Sequence, residues 1–165
     1  NEMATRKINT VEEIRNLEGR VYVRWSNSFT KDAKRGYSLR YGTQAEAGIS
    51  ACEIDKTWED WRILRQIREY EFVYGKHCWI ITGDEIARGG DNEPLLGNIE
   101  LIGEIGESLL DADWVAMYYE AMIAKDEVRL QSITNQIAIN ITIREIENNK
   151  KKLAQHLANP KPYLQ

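Results

Sequence analysis

The chain has 165 residues, 42% of them hydrophobic, with five Trp, eight Tyr and only three Pro. That length suits one domain, and that apolar content supports a packed core and excludes a disordered chain. A net charge of −4 and a pI near 5.4 argue against a nucleic-acid-binding domain, which needs a clustered basic face.

The one basic run, Lys150-Lys151-Lys152, falls in a helical pattern and reads as a solvated face. Cys52 and Cys78 each sit beside an apolar residue and read as reduced thiols rather than a disulfide framework. No apolar run approaches the roughly 18–20 residues that span a bilayer. The first residues carry no secretory apolar segment, and those before Met3 are set aside as foreign to the fold. The expectation is a cytoplasmic protein with no membrane partner.

In chain order, Thr10-Val11-Glu12-Glu13 predicts a short helix. Thr10 caps it, Glu13 reaches back as in a capping box, and Gly19 ends the segment after about Leu17. Arg20–Ser26 reads as a strand from its β-branched and aromatic content, with Val21, Val23 and Trp25 on one face. Arg24 then points the other way, into solvent or a cleft. Residues 27–50 are polar and irregular, a length that often marks a functional loop, and end in a short strand at Gly48–Cys52.

Thr57 is expected to cap a helix over 58–73, with Trp58, Trp61, Leu64, Ile67 and Phe72 as its core stripe and Gly75 beyond it. His77–Thr82 predicts a buried strand and Asn98–Ile105 another. The segment between them holds a tight polar turn, Gly89 to Pro94, whose two glycines permit backbone angles or close approaches closed to other residues. Trp61 and Trp79 are expected in the core. From Asp113 onward the pattern is helical, with one helix over 114–124 and a long one over 126–157. Ile137, Ile139, Ile141 and Ile143 alternate as a strand would, but flanks free of Gly and Pro favour helix. As a helix, this segment is apolar on two faces and calls for two partners, of which a second copy of the chain is one.

The fold expectation is therefore α+β: a small, mostly antiparallel sheet flanked by helices, with a long helical C-terminal extension. The division expected is a core at 8–110 and a helical segment at 111–158.

Several chemistries lack support. His77 and His156 are the only histidines and stand in no zinc spacing. Asp84, Glu85, Asp91 and Glu93 could collect a hard cation, but their spacing is not that of an EF-hand loop; no metal is expected. No nucleophile elbow, Walker loop or dinucleotide glycine fingerprint is present. What remains is a polar set: Arg24 ending the first strand, Ser50 after the long loop, and Glu93 on the turn. It reads either as an arginine pairing with Glu93 or Asp91 across a turn, or as a ligand site.

In that order the set resembles the ADP-ribosyltransferase superfamily. The likeness rests on Val21-Tyr22-Val23-Arg24-Trp25-Ser26, Gly48-Ile49-Ser50 and Gly90-Asp91-Asn92-Glu93-Pro94-Leu95-Leu96, and covers about residues 20–110. The superfamily's serine strand reads Ser-Thr-Ser where this chain has Gly48-Ile49-Ser50, and Asp91 stands where a Glu or Gln is usual. The chain also resembles an uncharacterised bacterial domain family with the same Arg-Trp-Ser and Asp-Asn-Glu-Pro-Leu elements. The first resemblance implies NAD as the substrate, with Arg24 and Ser50 binding it, Glu93 assisting transfer and Asp91 orienting the nucleophile on a protein target. The alternative is a non-catalytic interaction or regulatory domain that self-associates as a homodimer through its C-terminal helices.

Overall fold

In the computed structural model, which describes residues 6–25, 49–69, 77–90 and 92–165, the chain divides into two units. One comprises Asn1–Glu59 with Ile63–Ala112, the other Asp60–Arg62 with Asp113–Gln165. The fold is α+β, as the sequence indicates. No helix among the described residues is long and apolar enough to cross a membrane.

The described residues of the first unit form six strands: β1 (Lys7–Ile8), β2 (Val21–Trp25), β3 (Ile49–Ser50), β4 (Cys52–Ile54), β5 (Cys78–Arg88) and β6 (Pro94–Ile105). Their order is β1-β6-β5-β2-β4, with β3 also bonded to β6. Only β1 runs parallel to its neighbour. Since Ala51 alone separates β3 from β4, one short stretch of chain pairs with β6 at its start and with β2 at its end. This curls the sheet, and both partner strands of that stretch carry site residues.

Register fixes the faces. Tyr22 lies opposite Ile81 and Arg24 opposite Trp79, so all four side chains share one face. Tyr22, Ala51, Trp79, Ile81 and Leu96 form a buried cluster there, flanked by Ile99 and Leu101. On the opposite face Trp25 donates its indole N–H to the Ile67 carbonyl at 2.7 Å. Ile67 belongs to α2 (Asp60–Arg68), whose Ile63, Leu64 and Ile67 are buried. With both faces of β2 covered, Val21, Tyr22 and Val23 are all buried rather than alternating. Each such aliphatic side chain contributes about 1.5–3 kcal/mol on burial.

The first helix, α1 (Val11–Arg15), begins at Thr10, whose hydroxyl accepts from the Glu13 N–H at 3.1 Å. Glu13 reaches back one residue further than a capping box requires, to the Asn9 N–H at 3.2 Å. The cap expected for α2 is displaced: Thr57 closes a turn on Asp55, its N–H at 2.8 Å and its hydroxyl at 2.6 Å from the carboxylate, and the helix starts three residues later. Phe72 and Gly75 of the expected helix lie outside the described residues, as does nearly all of the 27–50 loop.

Strands β5 and β6 run longer than the pattern indicates and form one hairpin. Its bulges lie between Ile80 and Ile81, Thr82 and Asp84, and Glu85 and Ala87, and they break the alternation that reveals a strand. Gly83 is required there, because a Cβ would lie 2.9 Å from the Gly97 carbonyl oxygen. A short helix, α3 (Glu107–Leu110), follows β6.

The second unit contains α4 (Trp114–Leu130) and α5 (Gln136–Ala158). The break expected near 125 occurs at 131–135 instead. There Asn135 caps α5 by accepting from the Ile137 N–H at 2.9 Å and the Ala138 N–H at 3.2 Å. Asparagine is among the most favoured N-cap residues, so a new helix can begin here without a glycine or proline. The alternating isoleucines are helical. The helices are antiparallel: Lys150 meets Glu127 at 3.7 Å, and His156, near the end of α5, meets Asp113, the cap of α4, at 2.8 Å. Trp61, half-buried in this unit, stacks edge-on against Tyr118 at 4.8 Å.

Candidate functional site

Three sequence-predicted residues of the first unit meet where the sheet curls. Arg24, at the penultimate position of β2, donates from Nη1 to the Ser50 carbonyl oxygen at 2.9 Å. Ser50 donates its hydroxyl to Glu93 Oε2 at 2.5 Å. Sheet pairing enforces this proximity, since Ser50 is the register partner of Leu95, two residues beyond Glu93. Arg24 and Glu93 are thus linked through Ser50 rather than paired directly. Asp91 lies outside the described residues.

The turn that carries Glu93 closes by a Gly89 N–H bond to the Glu93 carbonyl at 2.9 Å and an Asn92 N–H bond to the Gly89 carbonyl at 3.0 Å. Its left-handed residue is Asn92, at φ 61°, not a glycine. Gly89 would meet nothing nearer than 3.7 Å with a Cβ, and Gly90 nothing within 4 Å. Neither glycine uses the freedom it permits, since neither has a positive φ or a close approach. Arg88 donates to the Asn92 carbonyl at 3.1 Å and holds the turn from outside.

Cys52 is the residue the sequence reading missed. Its Sγ lies 3.7 Å from Glu93 Oε1, the oxygen that Ser50 leaves free. Ser50 and Cys52 are two apart in extended chain, so their side chains share a side. That spacing was the available signal. Burial, reinforced by the Glu93 carboxylate and its hydrogen bond, pushes the Cys52 thiol up to about 11. The proton therefore stays on sulfur at neutral pH.

Arg24 is electrostatically unusual. Burial lowers its pKa from the ordinary guanidinium value, yet a guanidinium keeps its proton in proteins. Its Nε is buried without a hydrogen-bond partner, and among the described residues no carboxylate pairs with it. A desolvated cation that no described carboxylate balances is costly, and an anion brought to it would lower that cost.

The two histidines do other work. His77 and Lys7 both bind the buried carboxylate of Glu104, Lys7 Nζ at 2.5 Å from Oε2, which ties β1 to β6 and to the start of β5. His156 is buried against Asp113. Among the described residues no group of three His, Cys, Asp or Glu is placed to hold a metal ion.

Residues 1–125 match a family whose description is Family of unknown function (DUF6098). The chain belongs to that family. No curated protein and no solved structure matches it. The DUF6098 match contains Arg24, Ser50, Cys52 and Glu93 and ends within α4, so α5 lies beyond it.

Proposed function

We propose that the first unit binds nicotinamide adenine dinucleotide at Arg24 and Ser50 and transfers its ADP-ribosyl group with the help of Glu93. The observation that carries this reading is Arg24: a partly buried guanidinium with an orphaned Nε, two hydrogen bonds away from a carboxylate. The planar fork suits a pyrophosphate, which would supply a counter-charge that no described carboxylate provides. In the transfer, the bond between ribose and nicotinamide breaks with its electron pair leaving on nicotinamide nitrogen. The acceptor forms the new bond to the same ribose carbon and gives up a proton. Positive charge builds on the ribose as the first bond breaks. Anionic Glu93 would stabilise that charge more in the transition state than in the ground state. Asp91, two residues before it, is proposed to orient the acceptor.

Thermal unfolding with and without NAD tests the binding step, because a ligand specific to the folded state raises Tm by linkage. The expected rise is lost in Arg24→Met. No rise in the native chain at millimolar NAD would refute the reading.

A second reading is favoured by α5, where Ile137, Ile141 and Ile143 are 71%, 50% and 40% exposed. On this reading the protein is an interaction domain that self-associates through its C-terminal helices. Sedimentation of the native chain beside Ile137→Glu/Ile141→Glu tests it. A dimer dissociated by the substitutions supports self-association, and a monomeric native chain refutes it.

A further inference from the structure

The geometry points to Cys52 as a positioning residue for Glu93, acting with Ser50 to hold both carboxylate oxygens from one strand. It deepens the proposed transferase reading, but the contact on which it rests can be tested without any activity. A carboxylate held at one oxygen still turns about its terminal torsion, whose preference is broad. Here Oε2 receives the Ser50 hydroxyl at 2.5 Å and Oε1 faces the Cys52 sulfur at 3.7 Å. Two donors on two oxygens fix the plane of the group. Both come from the stretch 49–54, so they move together. The thiol is a weak donor, and it donates only while protonated, a condition that its pKa near 11 meets across the physiological range. Cys52 is half-buried and unpaired with Cys78. A serine would keep a donor at this position and a valine would remove it at similar size. The thiol is thus a hydrogen-bonding group toward Glu93 and not a nucleophile: little thiolate exists at neutral pH.

The contact is reciprocal, and this supplies the test. If Glu93 holds the proton on Cys52, neutralising Glu93 must release it more easily. In a Cys78→Ala background, the rate of Cys52 alkylation by iodoacetamide is measured against pH, with and without Glu93→Gln. We expect a midpoint near 11 with Glu93 present and about one pH unit lower without it. An unchanged midpoint overturns the proposal, whatever the protein catalyses. The second measurement is NAD-dependent nicotinamide release. Cys52→Val should lower kcat about fivefold, the factor one modest hydrogen bond represents, with KM unchanged, and Cys52→Ser should restore it. Unaltered kcat in Cys52→Val also overturns the positioning role. If the midpoint moves but the native protein releases no nicotinamide, the transferase reading fails while the hold on Glu93 stands.

Discussion

Replacing Glu93 by Gln removes a charge while changing the shape of the side chain very little, and the structure sets what each effect should cost. The amide oxygen can continue to accept the Ser50 hydroxyl, now 2.5 Å from Oε2, and the amide nitrogen then faces the Cys52 sulfur, a weak acceptor at 3.7 Å. The loop itself is closed by backbone bonds, Gly89 N–H to the Glu93 carbonyl and Asn92 N–H to the Gly89 carbonyl, which the substitution leaves alone. The expected loss of stability is below about 1 kcal/mol, the net worth of one hydrogen bond. The loss of function should be far larger. A preorganised charge aimed at a developing oxocarbenium contributes about 100- to 1,000-fold in rate, as deletion of a single oxyanion donor does elsewhere. Unfolding in urea measures the first quantity and NAD-dependent nicotinamide release the second. A variant that keeps full activity refutes the assignment of Glu93. One that unfolds places Glu93 in the scaffold instead.

Glu104 gives a stability prediction with a sign. Burial would raise its pKa, but hydrogen bonds from Lys7 and His77 outweigh it and hold the carboxyl below its ordinary range. Its contribution is therefore complete above the unfolded carboxylate value of about 4.3 and is lost as pH falls toward the lower folded value. Urea midpoints of the native chain should drop below about pH 4, and Glu104→Gln should flatten that part of the profile; identical profiles would refute the role. At pH 7 the same substitution should cost about 1–2 kcal/mol, between an exposed pair and a fully buried one, because Lys7 and His77 are themselves 54% and 45% exposed. Trp79, at 7% exposure within the cluster of Tyr22, Ile81 and Leu96, should cost about 3–5 kcal/mol on truncation to Ala. A loss near zero in denaturant titration would remove it from the core.

Local chemistry made the shorter elements legible. The Thr10 cap, β2 and the turn before Pro94 are each specified by residues within a few positions of one another. The misplaced boundaries have equally local causes. Asp55 captures Thr57 and delays α2, while Asn135 starts a new helix where the absence of Gly and Pro suggested a continuous one. The length of the β5–β6 hairpin was hidden for another reason. Its outer half alternates irregularly because bulges shift the register, and its close crossing depends on Gly83 lying against the Gly97 backbone.

The site was legible in identity but not in wiring. Arg24, Ser50 and Glu93 could be named because polar residues at a strand's edge or on a turn stand out from the apolar pattern, and because their order resembles that of a known superfamily. Their connection depends on Ala51, the single residue at which the chain leaves β6 for β2, and no periodicity reports such a crossing. The crossing has a mechanical consequence. Arg24 grips the backbone of Ser50, whose hydroxyl grips Glu93. β3, only two residues long, is thus held by Arg24 on one side and by β6 on the other. A strand so short has little stability of its own, so on the proposed reading the placement of Glu93 would depend on what Arg24 binds. An anion arriving at the guanidinium would either compete with the Ser50 carbonyl for Nη1 or add through another donor of the fork. Addition costs less than exchange, since the Ser50 bond is kept. Binding by addition would therefore leave the carboxylate in place as the ligand arrives, as the proposed transfer at Glu93 would need.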